Sequence, residues 1–263
     1  MTIDQEWLRG ICRQTDDILW ESFGRCLGGT CAEHVGGVHF PLYRNGNRRF
    51  SEQEARFAFV HALESAQLPG TLRDVGYAVE NPTYEAYTFS GSGRSAATDL
   101  AIYESAADLR PTVNVEFKSG GFSDGRQSID AVAKDVAKLV AERVACGLWF
   151  HLVKNTDAMT LPRVSRLLQK AFDSVCEVGG LKRWMLDESV TAAPKSLIVH
   201  LCVIEKRYSL QRQVTLGHGG LSASIALPRI PAGGRVPEAA SLPGWEIHEQ
   251  RTREARCATT ESP

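Results

Sequence analysis

Apolar residues recur at three- and four-residue steps in four stretches of the chain, and shorter apolar or alternating runs lie between them. Residues 4 to 27 place Trp7, Leu8, Ile11, Ile18, Leu19 and Phe23 on one stripe, with Arg9, Arg13, Asp16, Asp17 and Glu21 between, so an amphipathic helix is expected until Gly28 and Gly29 end it. The same period predicts helices over 51 to 67 (Phe57, Val60, Leu63), 126 to 145 (Ile129, Val132, Val136, Leu139, Val140, Val144) and about 161 to 177. Strands are expected near 75 to 80, 84 to 89, 97 to 103 and 112 to 118. The runs 147 to 153 and 196 to 204 are apolar enough to be strands buried on both faces. Residues 34 to 49, with the turn Asn45, Gly46 and Asn47, read as a loop or short hairpin. Helix, antiparallel hairpin, helix and strand in this order imply an α/β fold with a mixed sheet. Beyond about 205, glycine and proline accumulate and periodicity is lost, so an irregular extension ending in disorder is expected over 206–263.

Within the predicted hairpin the alternation carries chemistry. Side chains of successive strand residues point to opposite faces, so Glu116 and Lys118 share one face, and Val115 and Phe117 the other. If residues 104 to 111 close the hairpin symmetrically, cross-strand partners have numbers totalling 215, and Asp99 stands opposite Glu116. Partners of that kind have Cβ atoms roughly 4.5 to 5.5 Å apart. Two carboxylates so close repel unless a cation lies between them, and a divalent metal beside Lys118 supplies that charge.

Composition narrows the setting. At 263 residues and 43% hydrophobic, the chain can bury a full core. Its 30 basic and 31 acidic side chains leave a formal charge of -1, so any nucleic-acid contact must come from local patches. Seven cysteines without a close CysXaaXaaCys pair argue against a secreted disulfide framework and for a reducing, cytoplasmic setting. No apolar run approaches the length of a membrane span, and no signal peptide is evident.

Asp99 followed by Glu116, Phe117 and Lys118 at the end of the next strand resembles the active-site signature of the PD-(D/E)xK nuclease superfamily, the restriction-endonuclease-like fold. Thr98 stands where the proline that names the pattern would be. The resemblance implies a nuclease-like core over 51–205, between an N-terminal helical and loop extension over 1–50 and the irregular C-terminal part. It also implies hydrolysis of DNA phosphodiester bonds, with RNA left open, in restriction, repair or phage defence. Asp99, Glu116 and the main-chain carbonyl of Phe117 are then ligands for Mg²⁺, or Mn²⁺ in its place, and Lys118 is the catalytic amine. A third acid on the preceding helix is usual in that family. Glu52, Glu54 and Glu64 are the candidates, and Glu54 is chosen as catalytic and metal-side, although Ser51 and Glu54 also form a capping-box pattern. The competing reading is a non-catalytic module of the same fold that binds nucleic acid or a protein. A homodimer is compatible with either, and a membrane partner with neither.

Other constellations weigh less. The glycine-rich loop 119 to 125 leads into a helix whose amides suit an anion. Gln127 resembles a glutamine that some members place beside the site, but Ala131 stands where the exonuclease form has tyrosine. Lys134, Lys138 and Arg143, with Asp135 and Glu142, read as a solvated helix face. Cys26, Cys31, His34 and His39 are four potential zinc ligands at spacings unlike the usual structural sites. Arg44, Arg48 and Arg49, and Lys182 with Arg183, are the best local basic patches for phosphate.

Overall fold

A computed structural model describes residues 4–28, 38–45, 49–66, 75–84, 96–105, 107–121, 126–142, 144–154, 159–177, 195–216 and 236–250. It is a mixed α/β fold. Helices α1 (Gln5–Gly28) and α2 (Glu52–Ser65) precede strands β1 (Gly76–Pro82), β2 (Ala97–Tyr103) and β3 (Val113–Ser119). Helix α3 (Arg126–Ala141), β4 (Cys146–Val153), α4 (Thr160–Glu177), β5 (Lys195–Val203), β6 (Tyr208–Leu216) and β7 (Glu246–Glu249) follow. The seven strands form one sheet in sequence order. Its centre, β3, β4 and β5, is parallel because α3 and α4 carry the chain back between successive strands, whereas β1 to β3 and β5 to β7 are antiparallel meanders.

Strands β4 and β5 run as nearly continuous apolar stretches because both faces of the sheet are covered. On one face α1 and α2 lay Leu8, Leu19, Phe59 and Leu63 against Leu100, Val115, Phe117 and Phe150. The Phe59, Phe117 and Phe150 rings lie 5.5 to 6.3 Å apart there. On the other face α3 and α4 pack Val136, Leu139, Leu168 and Phe172 against Trp149, Val199 and Leu201. Residue α1 Asp16 is wholly buried and accepts hydrogen bonds from His200 Nε2 at 2.9 Å and Ser209 Oγ at 2.6 Å, while Trp20 Nε1 donates to the Val203 carbonyl.

Two boundaries differ from the sequence expectation. Helix α1 is a layer of the common core rather than an extension of it. The sheet also continues past 205: β6 pairs with β5 along its whole length, β7 pairs with β6, and Leu242 and Trp245 are buried in the α3–α4 core. The alternation of Tyr208, Leu210 and Val214 was the available signal, diluted by Gln211, Arg212 and Gln213. The strand expected at 84 to 89 and the end of the chain from Arg251 lie outside the described residues.

The β2–β3 ladder has Leu100 opposite Val115, Ala101 opposite Asn114 and Ile102 opposite Val113, pairs whose numbers total 215. It stops short of Asp99 and Glu116. The β1–β2 ladder skips the same level, passing from Val79–Leu100 to Asn81–Thr98, and the skipped Glu80 has φ 53. A left-handed backbone at a non-glycine residue costs on the order of 1 kcal/mol or more and persists only where its surroundings hold it. Glu80, Asp99 and Glu116 thus stand level on three adjacent strands, at a place where both ladders open.

Candidate active site

Alternation along β3 sends Val113, Val115 and Phe117 into the α1–α2 core and leaves Glu116 and Lys118 facing α3. Glu116 is 0% exposed. Lys138 Nζ of α3 is paired with its Oε1 at 2.7 Å, and no other donor among the described residues reaches either carboxylate oxygen. Burial, reinforced by the charge of Asp135 and opposed by Lys138, pushes the Glu116 carboxyl up to about 8.

Asp135 and Lys138 are three residues apart on α3 and so lie on one side of it. Lys138 Nζ is 2.8 Å from Asp135 Oδ1 and donates to the Ala97 carbonyl at 2.9 Å. Lys118 Nζ is 2.9 Å from Asp135 Oδ2 and 3.9 Å from Glu52 Oε1 at the start of α2. Glu116, Lys138, Asp135, Lys118 and Glu52 therefore form a chain of alternating charge. Burial on its own would lower both lysines, yet the acids outweigh it: Asp135 chiefly raises Lys118, and Glu116 with Asp135 raises Lys138. Burial would raise Asp135, but the two lysines hold it below the usual carboxylate range. Glu52 is raised, by burial first, against the pull of Lys118.

Asp99 lies at the opening between β2 and β3. Its Oδ2 accepts the Phe117 N–H at 2.8 Å, taking a main-chain donor just where the ladder ends. Its Oδ1 is 3.2 Å from the Arg56 guanidinium of α2, which also donates to Glu80 Oε1 at 2.9 Å. His151 stands beside Lys118 in the β3–β4 ladder, with Nε2 2.7 Å from the Gly120 carbonyl. Burial, against that hydrogen bond and aided by the Lys118 charge, lowers His151 to about 4, so the ring is neutral. The Gly120 carbonyl is aimed there by a turn at φ +82, which suits glycine.

Of the residues expected from sequence, Asp99, Glu116, Phe117 and Lys118 are brought to one end of β2 and β3. Glu54 is not. Its carboxylate accepts the Ser51 N–H at 2.8 Å and is bound by the Ser51 hydroxyl, closing the capping box of α2, and Glu52 reaches Lys118 instead. Glu64 accepts a hydrogen bond from Tyr77. The solvated-face expectation for Lys138 and Asp135 is corrected, since Lys138 is 5% exposed and both belong to the charge chain. Arg56 and Glu80 were not foreseen. For the α3 pair the signal was available: the diagonal Asp135, Lys138 borders the buried Val132, Val136 and Leu139. Nothing local pointed to Arg56. Of the zinc candidates His39 is exposed, while Cys31, His34 and the Cys26 side chain lie outside the described residues, as do Arg48, Lys182, Arg183 and the Gln127 side chain.

Among the described residues, no group of three or more histidine, cysteine or acidic side chains is placed to hold a metal together. Five acidic side chains, Glu52, Glu80, Asp99, Glu116 and Asp135, face three cations, Arg56, Lys118 and Lys138. Compared with known protein families, curated proteins and solved structures, the chain matches none. No helix among the described residues is long and apolar enough to cross a membrane.

Proposed function

We propose that the chain is a divalent-metal-dependent nuclease of the PD-(D/E)xK kind that hydrolyses DNA phosphodiester bonds. Asp99 and Glu116 are the cation's side-chain ligands and Lys118 the positioned amine. The observation that carries this reading is Glu116, a carboxyl group shut off from water whose one partner among the described residues is the Lys138 ammonium, level with Asp99 where the strands part. The donor set fits Mg²⁺ or Mn²⁺: hard oxygens from two carboxyl groups suit a cation that keeps several of its waters. When bound, such a cation supplies a Lewis acid and a water of lowered pKa.

The chain's own groups do the rest. The Phe117 N–H fixes the Asp99 carboxylate in the plane of the sheet. The Phe117 carbonyl, the third oxygen of the ligand set, belongs to the same peptide run between Glu116 and Lys118. Lys118, anchored through Asp135 on the same face as Glu116, holds an ammonium donor toward a phosphoryl oxygen or the attacking water. Glu54 is left out of the set because its carboxylate is committed to Ser51.

The second reading, a binding module without catalysis, is favoured by Arg56 on Asp99 and Lys138 on Glu116, which neutralise both acids with side chains. One experiment separates the two. Purified chain is incubated with plasmid, single-stranded DNA and RNA in Mg²⁺ or Mn²⁺. Cleavage is expected, with Glu116→Ala and Lys118→Ala each lowering it by about 10²-fold or more at nearly unchanged melting temperature. Equal rates in both variants put the site elsewhere, and no cleavage of any substrate, with nucleic acid still retained, establishes the binding module.

A further inference from the structure

Lys138 is an unusual neighbour for a metal-binding carboxylate. Its side chain is 6% exposed, and among the described residues its ammonium has three oxygen neighbours: Glu116 Oε1 at 2.7 Å, Asp135 Oδ1 at 2.8 Å and the Ala97 carbonyl at 2.9 Å. An ammonium has three donors, so Lys138 retains two acceptors if the Glu116 contact is given up. The Ala97 carbonyl takes an aligned hydrogen bond from the ammonium, whereas Glu116 and Asp135 are held to it as ion pairs. Asp135, shared with Lys118, is placed to keep Lys138 on α3.

We infer that Lys138 is a resident counter-ion that a divalent cation displaces from Glu116, with Asp135 and the Ala97 carbonyl holding the ammonium once it has moved. The inference rests on the metal-dependent reading above. The exchange involves no covalent change: the ammonium stays charged, breaks one ion contact and keeps two acceptors, while Glu116 passes from one cation to another. In the metal-free protein Lys138 spares the fold a buried, unpaired carboxylate, and in doing so it competes with the cation for the same oxygens. Metal affinity is thereby set by a residue that is not a ligand.

The test measures Mn²⁺ binding to the full chain by the electron paramagnetic resonance signal of the free ion, together with melting temperature with and without Mn²⁺. Lys138→Met removes the competing charge at similar length. It is expected to bind Mn²⁺ about tenfold or more tightly than the parent, to melt lower than the parent without metal, and to gain more from Mn²⁺. Glu116→Gln is expected to abolish binding in both backgrounds. Unchanged or weaker binding by Lys138→Met, with Glu116→Gln still weakening the parent, overturns the counter-ion role and leaves the metal reading standing. If neither the parent nor Lys138→Met binds Mn²⁺, both fall. Lys138→Gln, which keeps a donor for the Ala97 carbonyl, is the second variant. If neither substitution folds even in saturating Mn²⁺, the ammonium is not replaceable by the ion and the inference is overturned.

Discussion

The two faces of the sheet each bury a carboxylate in a polar network, and the two are finished differently. Under α1, Asp16 receives one donor on each oxygen, from His200 and Ser209, and joins the helix to β5 and β6. Under α3, Glu116 has a single ion-pair partner, Lys138, and no other donor among the described residues, although both carboxyl groups are equally shut off from water. Buried polar groups in native proteins are nearly always satisfied. The Asp16 carboxylate, with a donor on each oxygen, ties α1 to the sheet and stiffens the fold, even though His200 Nδ1 has no partner among the described residues. A less fully satisfied carboxyl group stores a cost that a fold built for stability alone would not carry, and such violations gather at functional sites. The ladder gaps at Asp99 and the left-handed Glu80 lie level with Glu116, whereas the other left-handed non-glycine residue among those described, Arg207, sits in the turn two residues before Ser209 and the β5–β6 ladder beside it is unbroken.

That contrast can be broken most forcefully at Asp16. Asp16→Ala leaves His200 and Ser209 without their buried acceptor and is expected to destabilise the chain by about 3 to 5 kcal/mol, read as a lowered denaturant midpoint. Glu116→Gln is expected to abolish cleavage while changing stability by no more than about 1 kcal/mol, because it removes a charge that the fold does not fully solvate. A large loss of stability there would make Glu116 a structural partner like Asp16.

Dependence on pH sharpens the same point. The folded Glu116 titrates near 8 and its unfolded counterpart near 4.5, so between those values the native state binds the extra proton. The contribution of Glu116 to stability is therefore fully present below about pH 4.5 and declines as pH rises through 8. Unfolding titrations of the parent minus Glu116→Gln should show this decline, and a flat difference would mean that the carboxylate is better solvated than its burial implies. The smallest effect is expected at Glu54. Glu54→Ala should cost about 1 kcal/mol through loss of the α2 cap and leave cleavage intact. Lost cleavage at unchanged stability would return Glu54 to the site.

Much of this was legible along the chain. The periods of apolar residues marked α1 to α4 and the central strands, and the symmetric hairpin gave the register kept by Leu100–Val115, Ala101–Asn114 and Ile102–Val113, although the ladder ends before the expected Asp99–Glu116 pair. Glu54 could not be settled that way: a capping acid and a site acid look alike early in a helix, and only the placement of Ser51 decides. Strand β6 was obscured by the polar residues between Tyr208 and Val214, and β7 is too short, at four residues, to show a period.

By itself the sequence determined which residues share a face, because periods of 2 and 3.6 are properties of the backbone. It thereby set Glu116 and Lys118 together on β3, and Asp135 and Lys138 together on α3. Which faces meet was decided only in three dimensions. Packing of Val132, Val136 and Leu139 in the core beside Trp149 sets the rotation of α3 about its axis, and that rotation lays Lys138 on Glu116 and Asp135 on Lys118. Arg56 meets Asp99 across a gap of 43 residues for the same reason. Charge partners so distant in sequence are chosen by the shape of the core, which no local pattern encodes.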